Sequence, residues 1–595
     1  MEPARGTGLM SSVRKLYSLL TASERRTAFG LLGLMSVAAV LEAFSVALAV
    51  PALTILMQDD PLGRYPWLGR FFDADGGVSQ AQIVTVGVLF FAVAFLVKAV
   101  FVTFVVWREN TFTFTLHARL SQLLFKVYLR QPYTFHLQRN SAQLLRNAIS
   151  EVLELTLGGV RPAIMLISES LVMIGIGALL VYFQPVGALI VGVALGAAAW
   201  LFRVVTAGPV GAWGKVRADH EGARIQILQE GLGSAKEVKL LGREGDFLKQ
   251  HARHSLASAR AGRLFYTLLD VPRLALELLS VLGLAALVLT MLARGRDMTN
   301  VLVMLGLFAA AAFRLMPSMN RLVFATQRIR SIGSVIESLY GEFTLPAPEP
   351  AAAAPGSTNF ATAIRVNDVT YTYPSGPRPA LERVSLIIHK NESVGFVGPS
   401  GSGKSTLVDV ILGLLTPDAG EVRVDDWDIQ EHMRRWQNQI GYVPQTIYLT
   451  DDSLRRNVAF GLSDEDIDEA AVQRAIRAAQ MEAFVASLPD GLDTPVGERG
   501  VRMSGGERQR IGIARALYHD PAVLVLDEAT SSLDVATERL VMEAVMALRR
   551  SKTVLIIAHR LTTVEHCDRV YRLEHGRVTG EGASAHVLHR EPTTT

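Results

Sequence analysis

The chain reads as two unlike halves: an all-α half with six membrane spans, then an α/β half around a buried parallel sheet. Three observations predict this. Six apolar segments lie within the first 325 residues, each long enough to cross a hydrocarbon layer of ~30 Å. A glycine-rich loop at 398–406 follows a strand-like run and opens a helix-like run. The run 522–527 is continuously apolar up to its final aspartate, as a strand buried on both faces is.

Composition agrees with a membrane protein of more than one domain. Of 595 residues, 50% are hydrophobic, and the mean hydropathy is positive at +0.28. Lys and Arg number 59 against 56 Asp and Glu, a net charge of +3. That balance gives no reason to expect a nucleic-acid partner. A single cysteine, Cys567, excludes an internal disulfide and is expected on the cytosolic side.

The first 26 residues are polar, and the apolar run after them is too long for a signal-peptide core, so it is expected to be a retained span. The spans are predicted at 28–57, 81–107, 157–183, 186–205, 264–293 and 300–325. Charged, helix-patterned stretches separate the second from the third and the fourth from the fifth; the other connections are shorter. Residues 203–263 carry eleven Lys and Arg, whereas 184–185 carry none and 294–299 two. The positive-inside rule then puts the long loops and both termini in the cytosol, as in a multi-pass protein of the cell (inner) membrane. Segments near 133–147 and 229–239 are candidate coupling helices. The first half is expected over 1–342, a Pro/Ala-rich linker over 343–360 and the second half over 361–595.

The loop Gly398-Pro-Ser400-Gly401-Ser402-Gly403-Lys404-Ser405-Thr406 fits a phosphate-binding pattern. Its backbone N–H groups and the helix start behind them favour an anion. Lys404 is expected at the β- and γ-phosphates of ATP and Ser405 on Mg²⁺. Asp527 ends its apolar run where ligands bind in open α/β sheets, and is expected to hold Mg²⁺ directly or through water. Glu528 is positioned to polarise an attacking water. His559 ends a further apolar run, 553–558, and is a candidate γ-phosphate contact. Gln445 closes a short strand-like run and is a second candidate Mg²⁺ ligand. Tyr373 is a candidate to stack on adenine, with Tyr371 as its competitor. A second glycine-rich run, Met503-Ser504-Gly505-Gly506-Glu507, precedes the acidic pair.

In order along the chain, these motifs resemble the nucleotide-binding domain of ATP-binding cassette (ABC) transporters over 361–590: A-loop, Walker A, Q-loop, signature, Walker B, D-loop (531–534) and H-loop. The signature departs from the family pattern, with Met503 for Leu and Glu507 for Gln. Residues 493–500 resemble the X-loop of exporters. The resemblance implies an all-α six-helix transmembrane domain of exporter type followed by an α/β P-loop ABC nucleotide-binding domain. It also implies a half-transporter that works as a homodimer. In such a dimer Ser504, Gly505, Gly506 and Asp534 complete the ATP site of the second copy, whose Lys404 holds the γ-phosphate. ATP and Mg²⁺ are the implied cofactors, with Glu528, His559 and Lys404 as catalytic residues.

Ionisable residues inside spans are costly and point to function. This chain has Glu42, Lys98, Arg161, Glu169, Asp270, Arg273, Glu277 and Arg314. At 1.5 Å per residue, Lys98, Arg314 and Arg273 lie ~24, ~21 and ~30 Å from the outer ends of their spans. Doubled in a dimer, they form a basic belt suited to an anionic head, above all a diphosphate. Internal pairing, for example of Arg273 with Asp270 or Glu277, is the competing arrangement. Pro317 is expected to kink the sixth span beside Arg314. Arg321 lies on the same face as Arg314, or is simply solvated where the helix leaves the membrane. The aromatic segment 62–72 suits a bilayer surface.

Leu41-Glu42-Ala-Phe, Val271-Pro-Arg273 with Glu277, and Phe313-Arg314 through Arg321 resemble PglK-type flippases of lipid-linked oligosaccharides. Members of that family carry Arg at the position of Lys98. The resemblance implies that Lys98, Arg273 and Arg314 face the head of a polyprenyl-diphosphate glycolipid moved from the cytoplasmic to the outer leaflet. Export of other lipids, drugs or peptides is the alternative, followed by an ATP-gated regulatory or channel protein.

Overall fold

The computed structural model describes residues 9–48, 80–183, 185–293, 298–346, 360–374, 376–497, 500–529, 535–558 and 560–584. The chain forms two compact units: residues 1–129 with 140–347, and residues 130–139 with 348–595.

The first unit is helical among its described residues. Its long helices are Ala22–Ala47, Gln80–Leu129, Arg161–Phe183, Pro185–Gly233, Glu244–Ala293 and Met298–Ser331. Among the described residues, three helical stretches are long and apolar enough to cross a membrane: Ala22–Ala47, Val84–Leu129 and Ser141–Tyr182, the last including shorter helices before Arg161–Phe183. Thr21 starts the Ala22–Ala47 helix with a reciprocal cap: its hydroxyl accepts from the Glu24 N–H, while the Glu24 carboxylate accepts from the Thr21 N–H. Ala39, Val46, Val172, Ile176, Leu180, Phe308, Ala311 and Leu315 bury the faces shared by the Ala22–Ala47, Arg161–Phe183 and Met298–Ser331 helices. Gly175 faces Ala43 there, and a Cβ at Gly175 would make ordinary contact with that of Ala43 at 3.4 Å. The Met298–Ser331 helix runs on through Pro317. Two π-helical turns, Asn147–Glu151 and Thr156–Val160, precede the Arg161–Phe183 helix.

The second unit is built on two sheets. One has six strands in the order β10-β9-β3-β8-β7-β6 and the other four in the order β2-β1-β4-β5. Their ranges are β1 Ala363–Tyr371, β2 Leu381–His389, β3 Ser393–Val397, β4 Ala419–Val424, β5 Trp427–Asp428, β6 Ile440–Val443, β7 Val523–Asp527, β8 Thr553–Ile557, β9 Arg569–Glu574 and β10 Arg577–Gly582. β3, β8, β7 and β6 pair in parallel, and every residue of β3 and β8 is buried. The apolar runs of the sequence are thus the central strands. Gly441 in β6 has no room for a side chain: a Cβ there would lie 2.4 Å from the Ala516 carbonyl of the Gly505–Leu517 helix.

Trp436 anchors one of the two cores of this unit. It is fully buried, and its Nε1 donates to the Ile411 carbonyl at 2.7 Å. That bond ties the Met433–Gln437 helix to the end of the helix behind the phosphate loop. Trp436→Ala is expected to cost about 3–5 kcal/mol of stability, read as a lowered thermal midpoint of the nucleotide-free protein.

Candidate functional site

The phosphate loop joins β3 to the Lys404–Ile411 helix. Gly398, Gly401 and Gly403 have φ of +151°, +77° and +100°. A Cβ at Gly398 would lie 2.1 Å from the Leu573 carbonyl, and one at Gly403 2.6 Å from the Ala380 carbonyl. Only glycine fits those two positions. Lys404 is buried, and its ammonium donates to the Gly398 and Pro399 carbonyls at 2.9 and 3.0 Å. Burial pulls its pKa down, against the attraction of Glu528 and Asp527. The loop therefore curls around its own lysine, with glycines at the points where backbone must come close.

The acidic pair lies at the end of β7. Asp527 accepts from the Tyr442 hydroxyl at 3.2 Å, and Glu528 from Gln445 Nε2 at 2.7 Å. Glu528 adopts φ +47°, a left-handed conformation unusual for a side-chain-bearing residue, and its N–H donates to the Ile557 carbonyl of β8. Tyr373 shares a hydrogen bond of 3.2 Å with Thr406 and meets Tyr371 edge-on at 5.1 Å. The two adenine candidates therefore adjoin each other, with Tyr373 the one tied to the loop. Ser405, Gln445 and Asp527 offer hydroxyl, amide and carboxylate oxygens, a hard donor set suited to Mg²⁺. Among the described residues the structure brings Tyr373, the phosphate loop, Gln445, Asp527 and Glu528 into one unit.

Ser504 caps the Gly505–Leu517 helix in a second reciprocal cap. Its N–H donates to the Glu507 carboxylate at 2.7 Å, and its hydroxyl accepts from the Glu507 N–H at 3.3 Å. The departure at Glu507 is thus a sound helix start. His559, Asp534 and the rest of 531–534 lie outside the described residues, as do residues 498–499 of the X-loop segment.

Three residues here escaped the sequence reading. Asp409 sits on the helix behind the phosphate loop, and burial, reinforced by the charge on Asp527, raises its carboxyl to about 6. Its signal was a lone carboxylate in the apolar run 407–411. Tyr442 holds Asp527, and burial pushes its phenol far up. The third is Tyr133. Residues 130–139 pack as part of this unit although their chain neighbours belong to the other. Tyr133 opens the Tyr133–Gln138 helix, and burial together with Asp409, Tyr373 and Asp527 raises its phenol. The first part of one candidate coupling segment, residues 133–139, thus belongs to this unit, with Tyr133 close enough to Asp527 to feel its charge. The other, 229–239, falls at the end of the Pro185–Gly233 helix and in the Ala235–Leu241 helix.

The first unit holds the remaining candidates. Lys98 and Arg314 meet at Glu42, whose Oε2 accepts from Lys98 Nζ at 3.3 Å and from Arg314 Nε at 2.8 Å. Lys98 also donates to the Ser45 hydroxyl at 3.3 Å and lies over the Phe95 ring, 4.5 Å from its centroid. Arg314 donates from Nη1 to the Ser318 hydroxyl at 2.9 Å. Lys98 and Arg314 are therefore paired internally, through Glu42. Arg321, with solvation as its alternative, pairs with Glu169. Asp270 and Glu277 are exposed, while the Arg273 side chain, segment 62–72 and linker residues 347–359 lie outside the described residues.

Such a fold, with a phosphate loop and signature helix in one unit and long apolar helices in the other, defines an ATP-driven membrane transporter of exporter type. The ABC transporter family description matches residues 381–531, and that of the ABC transporter transmembrane region matches 47–291. An ATP-dependent lipid A-core flippase of Dechloromonas aromatica is 31% identical over 504 residues, 83% of this chain and 84% of that protein. The protein of the same name in Thiobacillus denitrificans is 31% identical over 484 residues, 79% of this chain and 81% of its own length. That of Cupriavidus pinatubonensis is 45% identical over 222 residues, 37% of this chain and 38% of that protein. A solved structure of a bacterial Atm1-family ABC exporter with ATP bound shares the fold, with a TM-score of 0.78 at 22% identity over 96% of this chain and 98% of that one. The chain belongs to the ABC transporter family, as a half-transporter of exporter type.

Asp409 gives a test by pH. Its folded pKa of about 6 exceeds the ordinary 3.8, so the folded state holds this proton more tightly. The stability it contributes is full below the ordinary value and is lost as pH rises through about 6. Asp409→Asn is expected to stabilise the nucleotide-free protein at pH 7.5 by about 1–2 kcal/mol, a figure reduced for its partial solvation. The midpoint difference between pH 5 and pH 7.5 should shrink accordingly in thermal unfolding.

Proposed function

We propose that two copies of this chain use ATP to move a polyprenyl-diphosphate-linked oligosaccharide from the cytoplasmic to the outer leaflet of the inner membrane. In this reading the six long helices are the six spans, and both termini and the nucleotide-binding domain are cytoplasmic. One observation carries the choice of cargo: Lys98 and Arg314 converge on a single carboxylate inside an apolar helix bundle, leaving a net positive site. A positive site among apolar helices suits a lipid whose anionic head must leave water while its tail stays in the bilayer. The relatives' name, lipid A-core flippase, favours lipid cargo in general and supports a second reading in which the lipid is of the lipid A type.

On the ATP side, the glycine loop and Lys404 bind the phosphates, and Tyr373 packs on adenine. Ser405, Gln445 and Asp527 would hold Mg²⁺, which supplies charge neutralisation for phosphoryl transfer. Glu528 accepts the proton of the attacking water, with Gln445 orienting its carboxylate and His559 completing the γ-phosphate contacts. Ser504, Gly505 and Gly506 of one copy, with Asp534, close on the ATP held by the other, so neither copy hydrolyses ATP alone. The Tyr133–Gln138 segment reads the state of the site from beside Asp527.

Two measurements test this. Glu528→Gln is expected to lower ATP turnover by at least about 100-fold while ATP binding persists; retained turnover removes Glu528 as the base. In proteoliposomes holding tagged polyprenyl-diphosphate oligosaccharide, ATP should drive the head group to the opposite leaflet. Robust ATP-driven movement of lipid A, with none of the polyprenyl lipid, selects the second reading.

A further inference from the structure

Glu42 has a role that a bare basic site lacks. Its side chain is 10% exposed, whereas those of Lys98 and Arg314 are 18% and 21% exposed. The cations are thus the more accessible members of the trio, and the carboxylate is the hidden one. Both cations bind the same oxygen, Oε2. Each also has a second, neutral partner, Ser45 for Lys98 and Ser318 for Arg314. These hydroxyls keep each cation anchored when the carboxylate is not its only ligand. Ser45 is itself held, donating to the Glu42 carbonyl at 2.8 Å. The trio is a built site: two anchored cations with one resident anion, carrying one net positive charge.

We infer that Glu42 is a specificity-determining residue, an internal anion that sets how much negative charge a head group must carry to engage Lys98 and Arg314. This rests on the reading of that pair as the head-group site. A head group with one negative charge gains little, because it competes with a carboxylate already in place at hydrogen-bond distance. A head group with two or more charges on adjoining phosphates offers each cation its own oxygen and outcompetes the single Oε2. Glu42 therefore makes the site reject the singly charged phosphodiester lipids that surround it in excess and accept a diphosphate. It acts through the two cations rather than by touching cargo. The general cost of removing one member of a buried ion cluster is the force behind this selectivity.

The test measures ATP turnover in phosphatidylcholine nanodiscs titrated with a polyprenyl diphosphate or with phosphatidylglycerol. The readout is the ratio of the two half-maximal concentrations, which a purely structural role does not move. The wild-type ratio is expected to favour the diphosphate by at least about tenfold, an affinity difference of ~1.4 kcal/mol. In Glu42→Gln the ratio should fall at least fivefold, through stronger stimulation by phosphatidylglycerol. Glu42→Ala, which also removes the carboxylate, should lower the ratio likewise, whereas Glu42→Asp, which keeps it, should hold the wild-type ratio; this pair keeps the inference testable if Glu42→Gln folds poorly. An unchanged ratio in Glu42→Gln or Glu42→Ala, or a ratio in Glu42→Asp that falls as far as in Glu42→Gln, overturns the role of Glu42. If Arg314→Ala leaves the response to both lipids intact, the head-group reading itself fails, whatever Glu42 does.

Discussion

A charge held away from water must find its partner within hydrogen-bond reach, and both units of this protein are organised around that constraint. In the helical unit, Glu42 draws Lys98 from one helix and Arg314 from another onto one oxygen. Glu169 does the same for Arg321. Each pair joins helices that also meet through apolar side chains, and Arg119 with Glu24 adds a second ion pair between the Ala22–Ala47 and Gln80–Leu129 helices, so the charges help fix which faces meet. In the nucleotide-binding unit, the buried Lys404 ammonium is held by two loop carbonyls, Gly398 and Pro399. Those bonds hold it where phosphate oxygens are expected to take over. The same physics that stabilises the resting fold thus marks the positions where a ligand can exchange with an internal partner.

The buried parallel sheet turns this constraint into a site. β3, β8 and β7 are apolar along their length, so their polar residues appear only where the strands end. The phosphate loop leaves β3, and Asp527 and Glu528 end β7 beside β8. Glu528 takes a left-handed backbone directly after the end of β7, and its N–H is retained by the Ile557 carbonyl. Strain of this kind persists where the surrounding structure determines it, here through two strands and the bond from Gln445. Asp409, on the helix behind the loop, adds a second carboxyl close to Asp527. Burial first, and the like charge of Asp527 second, explain why Asp409 holds a proton so readily.

Most of the described part of the candidate ATP site is legible in the sequence because each part is local. The glycine pattern at 398–403, the apolar run ending in Asp527 and the cap at Ser504 are short stretches whose backbone geometry dictates their residue types. The exporter fold followed from them and from the apolar segments. Asp409, Tyr442 and Tyr133 were missed for the opposite reason. Tyr133 is far from the site along the chain and joins it only because residues 130–139 pack with the second unit. The pairing of Lys98 and Arg314 was anticipated in kind but not in partner. Arg273 with Asp270 or Glu277 was the pairing suggested by helical spacing, whereas Glu42 lies 56 residues from Lys98 and 272 from Arg314. Periodicity within one helix cannot supply contacts of that range.

This difference of range bears on how the family varies. The catalytic parts depend on backbone positions that accept few residues, as the crowded carbonyls at Gly398 and Gly403 show. They tolerate change only where an equivalent cap or bond replaces the old one, as Glu507 does for Ser504. The cation cluster is constrained differently. It requires a charge balance among three helices, and several residue choices satisfy that balance, including Lys98 where PglK-type flippases carry Arg. An exporter fold can thus keep its motor unchanged while its cargo site shifts by single charges. A 31% identical relative with a lipid cargo therefore constrains the motor more tightly than the head group. Under the proposed reading, head-group preference follows instead from the balance of cations and carboxylates around Glu42, a quantity that Glu42 changes by itself.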